Sequence, residues 1–212
     1  MSTSNLALFF QEPSGAFSSS LLSLAPDHGP GPVVAADFDD DGLPDLASST
    51  SLFELRVVFQ SAARDFDRDS LIVLPGFNAT DLEVFDLFGD GFLDIVLANP
   101  GAVLVFDQVG PHQFLPSRVM GFLPSSARSA LAVADCDRDG DLDLVAASSD
   151  QPSLNLFLQT IPVSTRALPV GDPSTISSPA DVVAVDIDGD GEADLACANS
   201  SGGTLAVFWN GR

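Results

Sequence analysis

The stretch DIDGDGEAD, residues 186–194, sets five carboxylates and two glycines in nine positions. Three earlier stretches repeat its pattern: DFDDDGLPD at 37–45, DLFGDGFLD at 86–94 and DCDRDGDLD at 135–143. Their first aspartates, Asp37, Asp86, Asp135 and Asp186, stand 49, 49 and 51 residues apart. An apolar run precedes each stretch and another follows it. Some 20 to 22 residues after each first aspartate comes LRVVFQ, VLVFDQ, LNLFLQ or LAVFWN, aligned on Phe59, Phe106, Phe157 and Phe208. The N-terminal LALFFQ reads as a fifth copy of this run, with Phe9 in the same place.

Self-similarity at this period outranks any element-by-element reading. The runs are short, rich in Val, Leu, Ile and Phe, and punctuated by Gly, Pro, Asp and Ser, which is strand grammar. In the first repeat the strands read VVAADF, DLASST, LRVVFQ and SLIVLPG. Four strands per period predict a propeller blade. The expected fold is all-β: a β-propeller of four-stranded antiparallel blades, with repeats at 32–80, 81–129, 130–180 and 181–212. Residues 1–31 would supply the outer strands of a blade completed by the C-terminus or by a partner chain.

The acidic loops follow D-x-D-x-D-G-x-x-D. Alternate carboxylates converge on one centre when the chain curls, and the glycine at position 6 supplies the turn. The predicted side-chain ligands are Asp37, Asp39, Asp41 and Asp45; Asp86, Asp90 and Asp94; Asp135, Asp137, Asp139 and Asp143; and Asp186, Asp188, Asp190 and Asp194. The carbonyls of Leu43, Phe92, Asp141 and Glu192 at position 7 would join them. Six to eight oxygens around a hard cation describe Ca²⁺ better than Mg²⁺. An EF-hand is excluded: its position-12 glutamate is here Ser48, Leu97, Ala146 or Cys197, and the flanks are strands. The second loop has Phe88 at position 3, which predicts weaker binding there. Asp65, Asp67 and Asp69 lack the glycine and the closing aspartate, and read as a solvated turn.

Charge supports the same view. The chain of 212 residues carries 30 acidic and 8 basic residues, a formal net charge of −22, and no lysine. Half of those acids lie at loop positions 1, 3, 5 and 9. Like charges repel by about 1 kcal/mol per pair at ~4 Å even in water, so a bound cation adds to folding stability. A surface this acidic disfavours nucleic acid, and no apolar run approaches a membrane span, so membrane insertion is not expected either. The segment MSTSNLALFFQ has no basic region, and LALFF is too short for a signal peptide. Cys136 and Cys197 have no metal spacing and read as buried thiols or as one disulfide. His28 and His112 lie in Gly/Pro-rich loops.

The loops with the strands after them (DGLPDLASS, DGFLDIVLAN, DGDLDLVAAS, DGEADLACAN) resemble the FG-GAP/VCBS repeat, the blade of integrin-α-type propellers and of many secreted bacterial proteins. The resemblance implies Ca²⁺ in the hairpin between a blade's first and second strands, and an extracellular or cell-surface setting. It also implies a scaffold used more for adhesion or ligand binding than for catalysis, without naming the protein or glycan ligand. Family propellers close with about seven blades, whereas this chain holds four loops. Three closures fit: four blades with SLLSLA (20–25) completing the last, a homodimer of eight blades, or a slice of a longer array.

Function follows from what is absent as well. No nucleophile elbow, zinc-protease motif or repeated histidine occurs, and Arg56, Arg118, Arg128 and His112 form no evident constellation. The chain is therefore expected to be no enzyme but a calcium-binding scaffold. Two alternatives stay open: a carbohydrate-binding propeller, disfavoured by the single Trp209 and the absence of Tyr, or the accessory domain of a secreted enzyme.

Overall fold

The computed structural model of the chain describes residues 6–23, 29–62, 64–66, 72–75, 78–123, 129–159 and 167–211. Every regular element among them is a β-strand, and every pairing is antiparallel. Strands β1 (Leu6–Gln11) and β2 (Phe17–Leu22) form an N-terminal hairpin. The first sheet has the order β3-β4-β5-β8, from β3 (Pro30–Ala36), β4 (Asp45–Thr50), β5 (Glu54–Val58) and β8 (Ile72–Pro75). Between its last two strands lies the small hairpin of β6 (Gln60–Ala62) and β7 (Asp65–Phe66). The second sheet joins β9 (Asp81–Phe85), β10 (Asp94–Asn99), β11 (Ala102–Phe106) and β14 (Arg118–Phe122), with β12 (Gln108–Gly110) and β13 (Gln113–Phe114) as its small hairpin. The third holds β15 (Ser129–Ala134), β16 (Asp143–Ser148), β17 (Leu154–Phe157) and β18 (Leu168–Val170). The fourth has three strands: β19 (Pro179–Val185), β20 (Asp194–Asn199) and β21 (Thr204–Phe208).

The sheets stack in chain order. The first strands β3, β9, β15 and β19 are successive neighbours. One apolar layer joins the first two sheets through Leu55, Val57, Ile95 and Leu97. A second joins the next pair through Val96, Val105, Leu144 and Phe157, and a third through Val145, Ala147, Val182 and Cys197. Stacking on both faces explains why β4, β10 and β16 are buried at every residue and lack a polar alternation. The N-terminal hairpin packs Leu6, Leu8 and Leu22 on Leu46 and Val58 of the first sheet. Arg64 ties it down further, bonding Glu12 at 2.7 Å and lying over the Phe10 ring.

Register corrects one alignment read from the sequence. Phe106, Phe157 and Phe208 pair with Ile95, Leu144 and Leu195, whereas the matching residue opposite Leu46 is Val58, not Phe59. What recurs in phase is the amide two places beyond each of these residues: Gln60, Gln108, Gln159 and Asn210. Of the residues read as a solvated turn, Asp65 opens β7. Asp67 and Asp69 lie outside the described residues, as do His28, Arg128 and residues 24–25.

The two ends of the stack differ from its middle. Leu205 is 76% exposed, although its counterparts Leu55, Val103 and Leu154 are 0% exposed. Val183, Val185, Val207 and Trp209 share that exposure on the fourth sheet. At the other end Phe9, Phe17, Leu21 and Val33 are exposed. Among the described residues no strand pairing joins the fourth sheet to the N-terminal hairpin.

Packing between the second and third sheets is close enough to exclude a methyl group. A Cβ on Gly121 would collide with Phe157 Cε1 and lie 2.7 Å from its Cζ. Phe157 is buried in the layer and cannot swing into solvent. Gly121→Ala is expected to cost about 1–3 kcal/mol, measured by urea unfolding, through overpacking alone.

Candidate metal loops

Each loop is held by its ninth-position aspartate, which opens the second strand of its sheet and is fully buried. One carboxylate oxygen accepts the N–H of loop position 2: Phe38 to Asp45, Leu87 to Asp94, Cys136 to Asp143 and Ile187 to Asp194, at 2.8–3.0 Å. The other oxygen accepts the N–H of the recurrent amide residue after the third strand: Gln60, Gln108, Gln159 and Asn210, at 2.7–2.8 Å. A single side chain thus fastens the loop's start to the end of strand three in all four repeats. The amide side chains add struts between neighbours. Gln108 Nε2 donates to the Phe38 carbonyl at 2.6 Å, and Asn210 Nδ2 to the Cys136 carbonyl at 2.9 Å.

Position 1 organises the curl itself. Asp37 and Asp86 accept the N–H groups of positions 5 and 6. Asp135 and Asp186 accept those of positions 4 and 6. Position 5 accepts the N–H of position 7, as Asp41 from Leu43, Asp90 from Phe92, Asp139 from Asp141 and Asp190 from Glu192. Two residues per loop adopt left-handed backbone. One is the predicted glycine at position 6 (Gly42, Gly91, Gly140, Gly191), and the other is position 4 (Asp40, Gly89, Arg138, Gly189). The second was legible only in the two loops that place glycine there.

The curl brings carboxylates together in three loops. Asp37, Asp39 and Asp41 each offer an oxygen, all within 4.8 Å of one another; so do Asp135, Asp137 and Asp143, and Asp186, Asp188 and Asp194. Asp45, Asp139 and Asp190 stand in the same loops outside those trios. Every donor is a hard oxygen, and Asp39 Oδ1 is buried with no hydrogen-bond partner among the described groups. Both facts fit an oxygen-coordinated cation. Asp39 Oδ2 bonds His112 Nε2 at 2.9 Å, and the imidazole stacks on Phe59. A histidine from the second sheet's small hairpin thus reaches the first loop.

The second loop is built otherwise. Asp86, Asp90 and Asp94 form no such trio, and Phe88 packs against the apolar layer below it. The Arg118 guanidinium lies 4.1 Å from the centroid of the Phe88 ring and bonds Asp107 at 2.9 Å. A fixed organic cation thus stands beside the loop that lost a carboxylate, a link that separation along the chain hid from sequence reading. Arg138 of the third loop pairs with Glu192 of the fourth at 2.9 Å.

Burial raises the pKa of the clasp aspartate Asp94 to about 7, against the lowering effect of its two N–H bonds. Asp45 and Asp143 are raised for the same reason, with loop-mate carboxylates adding to it. Cys136 and Cys197 are unpaired thiols rather than a disulfide. Burial, then the carboxylates of Asp143, Asp135 and Asp137, push Cys136 up to about 12, which leaves it unreactive.

Stacked antiparallel sheets with an acidic clasped hairpin at each inner turn define a repeat-built all-β protein. The chain belongs to the FG-GAP-like repeat family, which matches residues 86–146 and 135–197, together just over half of it. No curated protein matches the sequence. Among solved structures the chain is similar to BBS1N in complex with ARL6DN, whose fold is β-propeller-like, in crystals soaked with lead and with mercury. The TM-scores are 0.53 and 0.54 at 11% and 12% identity, covering 84% and 83% of this chain and 56% and 52% of those. The chain therefore spans about half their length, and the likeness concerns the fold alone. A segment of the Photorhabdus luminescens Tc holotoxin pore is also similar, at 21% identity and a TM-score of 0.42, over 97% of this chain and 10% of that one.

The clasp can be tested apart from any cation in the second loop. Asp94→Asn keeps one acceptor oxygen and turns an NH₂ group toward a buried backbone N–H. Urea unfolding in chelator is expected to show a loss of about 1–3 kcal/mol. An unchanged midpoint would mean that the two N–H bonds contribute nothing.

Proposed function

We propose that the chain is a run of four propeller blades whose loops hold Ca²⁺, and that it acts as a non-catalytic binding or assembly scaffold outside the cell. The observation that carries this reading is the convergence of three carboxylates in each of three loops. Ca²⁺ would be held by Asp37, Asp39 and Asp41; by Asp135, Asp137 and Asp143; and by Asp186, Asp188 and Asp194. The carbonyls of Leu43, Asp141 and Glu192 and the carboxylates of Asp45, Asp139 and Asp190 are the further oxygens of those loops. Bound there, the ion supplies charge neutralisation and cross-linking, not chemistry on a substrate. A non-catalytic role is supported by how the reactive groups are spent. Most loop carboxylates accept backbone N–H groups, and Arg118 and Arg138 are held in ion pairs.

The exposed end faces support an assembly role. The fourth sheet presents Leu205, Val207 and Trp209 where each earlier sheet is covered by its successor. It has three strands, and the N-terminal hairpin is a separate sheet of two. A second copy stacking its N-terminal end on this face, toward an eight-bladed ring, would bury both.

Differential scanning calorimetry in Ca²⁺ and in EDTA tests the metal reading. Chelation is expected to lower the melting temperature by about 5–10 °C, as loss of several bound ions requires. Light scattering in Ca²⁺ is expected to give the mass of a dimer, whereas a monomer would contradict head-to-tail stacking.

A further inference from the structure

The second repeat departs from the others at three positions, and the three residues meet. Loop position 3 is Phe88, where the other loops have Asp39, Asp137 and Asp188. The residue before the recurrent amide is Asp107, where the others have Phe59, Leu158 and Trp209. On the fourth strand Arg118 stands opposite Val105, where the first sheet sets Ile72 opposite Val57 and the third sets Leu168 opposite Leu156. The Arg118 guanidinium lies 4.1 Å from the centroid of the Phe88 ring, and its Nη2 donates to Asp107 Oδ2 at 2.9 Å. The three departures therefore make one unit: a ring, a cation on its face and a carboxylate that holds the cation.

This loop does not fit a metal ion as the others do, because Asp86, Asp90 and Asp94 form no trio of converging oxygens. It closes by other means. Asp86 accepts the N–H groups of Asp90 and Gly91 at 3.1 and 2.8 Å, and Asp90 accepts that of Phe92 at 3.0 Å. Asp94 holds Leu87 and Gln108 as its counterparts do. In the first loop the carboxylate at position 3 leaves a buried oxygen, Asp39 Oδ1, without a hydrogen-bond partner among the described groups, and a cation would complete it. In the second, position 3 carries no oxygen. Its ring packs on the apolar layer and offers its electron-rich face to a guanidinium.

Charge follows the same exchange. Asp107 lies within electrostatic reach of the loop, since its charge adds to burial in raising the pKa of Asp94. Its own pKa is raised by burial, lowered by Arg118 and raised again by Asp90. A positive group belonging to the chain itself thus stands beside this loop, bound on one flank by the ring and on the other by Asp107.

We propose that Phe88, Asp107 and Arg118 are a built-in replacement for the ion, with Arg118 the fixed cation that lets the second loop keep its shape with no metal bound, granted that the other three loops hold Ca²⁺ as proposed above. The second sheet, packed between the first and the third, is then a cation-independent joint. Withdrawal of Ca²⁺ loosens the loops on either side of it and leaves this one closed.

Hydrogen–deuterium exchange of the whole chain in Ca²⁺ and in EDTA, read by mass spectrometry on the loop segments, tests this. Segments 37–45, 135–143 and 186–194 are expected to exchange about tenfold faster or more in EDTA, the scale of losing a bound ion. Segment 86–94 is expected to exchange at one rate in both. Arg118→Met, which keeps an apolar stem and removes the charge, should speed exchange of 86–94 about threefold in either buffer, and Arg118→Lys should restore it. Phe88→Asp with Arg118→Met, which returns a carboxylate and removes the internal cation, should make 86–94 depend on Ca²⁺. A rise for 86–94 in EDTA equal to that of the other loops would overturn the proposal, and so would no effect of Arg118→Met. Failure of Arg118→Lys to restore the rate, or a folded double variant indifferent to Ca²⁺, would overturn it as well. Unchanged exchange of the other three loops in EDTA would contradict the calcium reading instead, and the single Arg118 variants, compared in EDTA alone, would still decide the role of Arg118.

Discussion

One buried carboxylate per repeat, accepting two backbone N–H groups from different parts of the sheet, is the interaction on which the rest depends. The ninth-position aspartate joins the second strand to the loop before it and to the turn after strand three. It converts an open, mutually repelling loop into a fixed cup, and it does so four times with nearly the same distances. Burying carboxylates is costly, and the raised pKa values of Asp45, Asp94 and Asp143 record that cost. Paired N–H donors offset part of it, as does any cation that approaches the ionised form.

The fastened cups then divide according to what stands at position 3. With aspartate there, three carboxylate oxygens face one another, and the loop fits a hard cation. With Phe88 there, the ring joins the apolar layer and Arg118 lies over it. The fold is indifferent to that exchange, because the clasp of Asp94 matches those of its counterparts. Architecture and cation site are thus separable in this chain. The clasp residues serve the first in all four loops; positions 1 and 3 serve the second, joined by Asp41 in the first loop and by the clasp residues Asp143 and Asp194 themselves in the third and fourth.

Much of this was legible in the sequence because the repeat displays each feature four times. Spacing placed the four loops, the strands around them and the glycine at position 6. It could not show that Asp45, Asp94, Asp143 and Asp194 each hold two N–H groups, since a buried acceptor and a metal ligand are the same letter. Nor could it show the partner of Phe88, because Arg118 meets it only through the sheet. The alignment on Phe59 failed for a plain reason: the first repeat carries Val-Phe where the others carry Phe and then a different residue. The recurrent Gln or Asn beside it was the truer marker, being tied to the clasp in every copy. Closure was illegible too, for apolar ends look the same in sequence as apolar middles. Only the exposure of Leu205 beside the burial of Leu154 separates them.

The claim that the clasp shapes every loop while only three of them hold a cation is tested most directly by anomalous diffraction from crystals soaked in Mn²⁺ or Tb³⁺. The account predicts peaks among Asp37, Asp39 and Asp41, among Asp135, Asp137 and Asp143, and among Asp186, Asp188 and Asp194, with none beside Phe88. A peak of equal height in the loop of Asp86 and Asp90, or no peak in any loop, would contradict it.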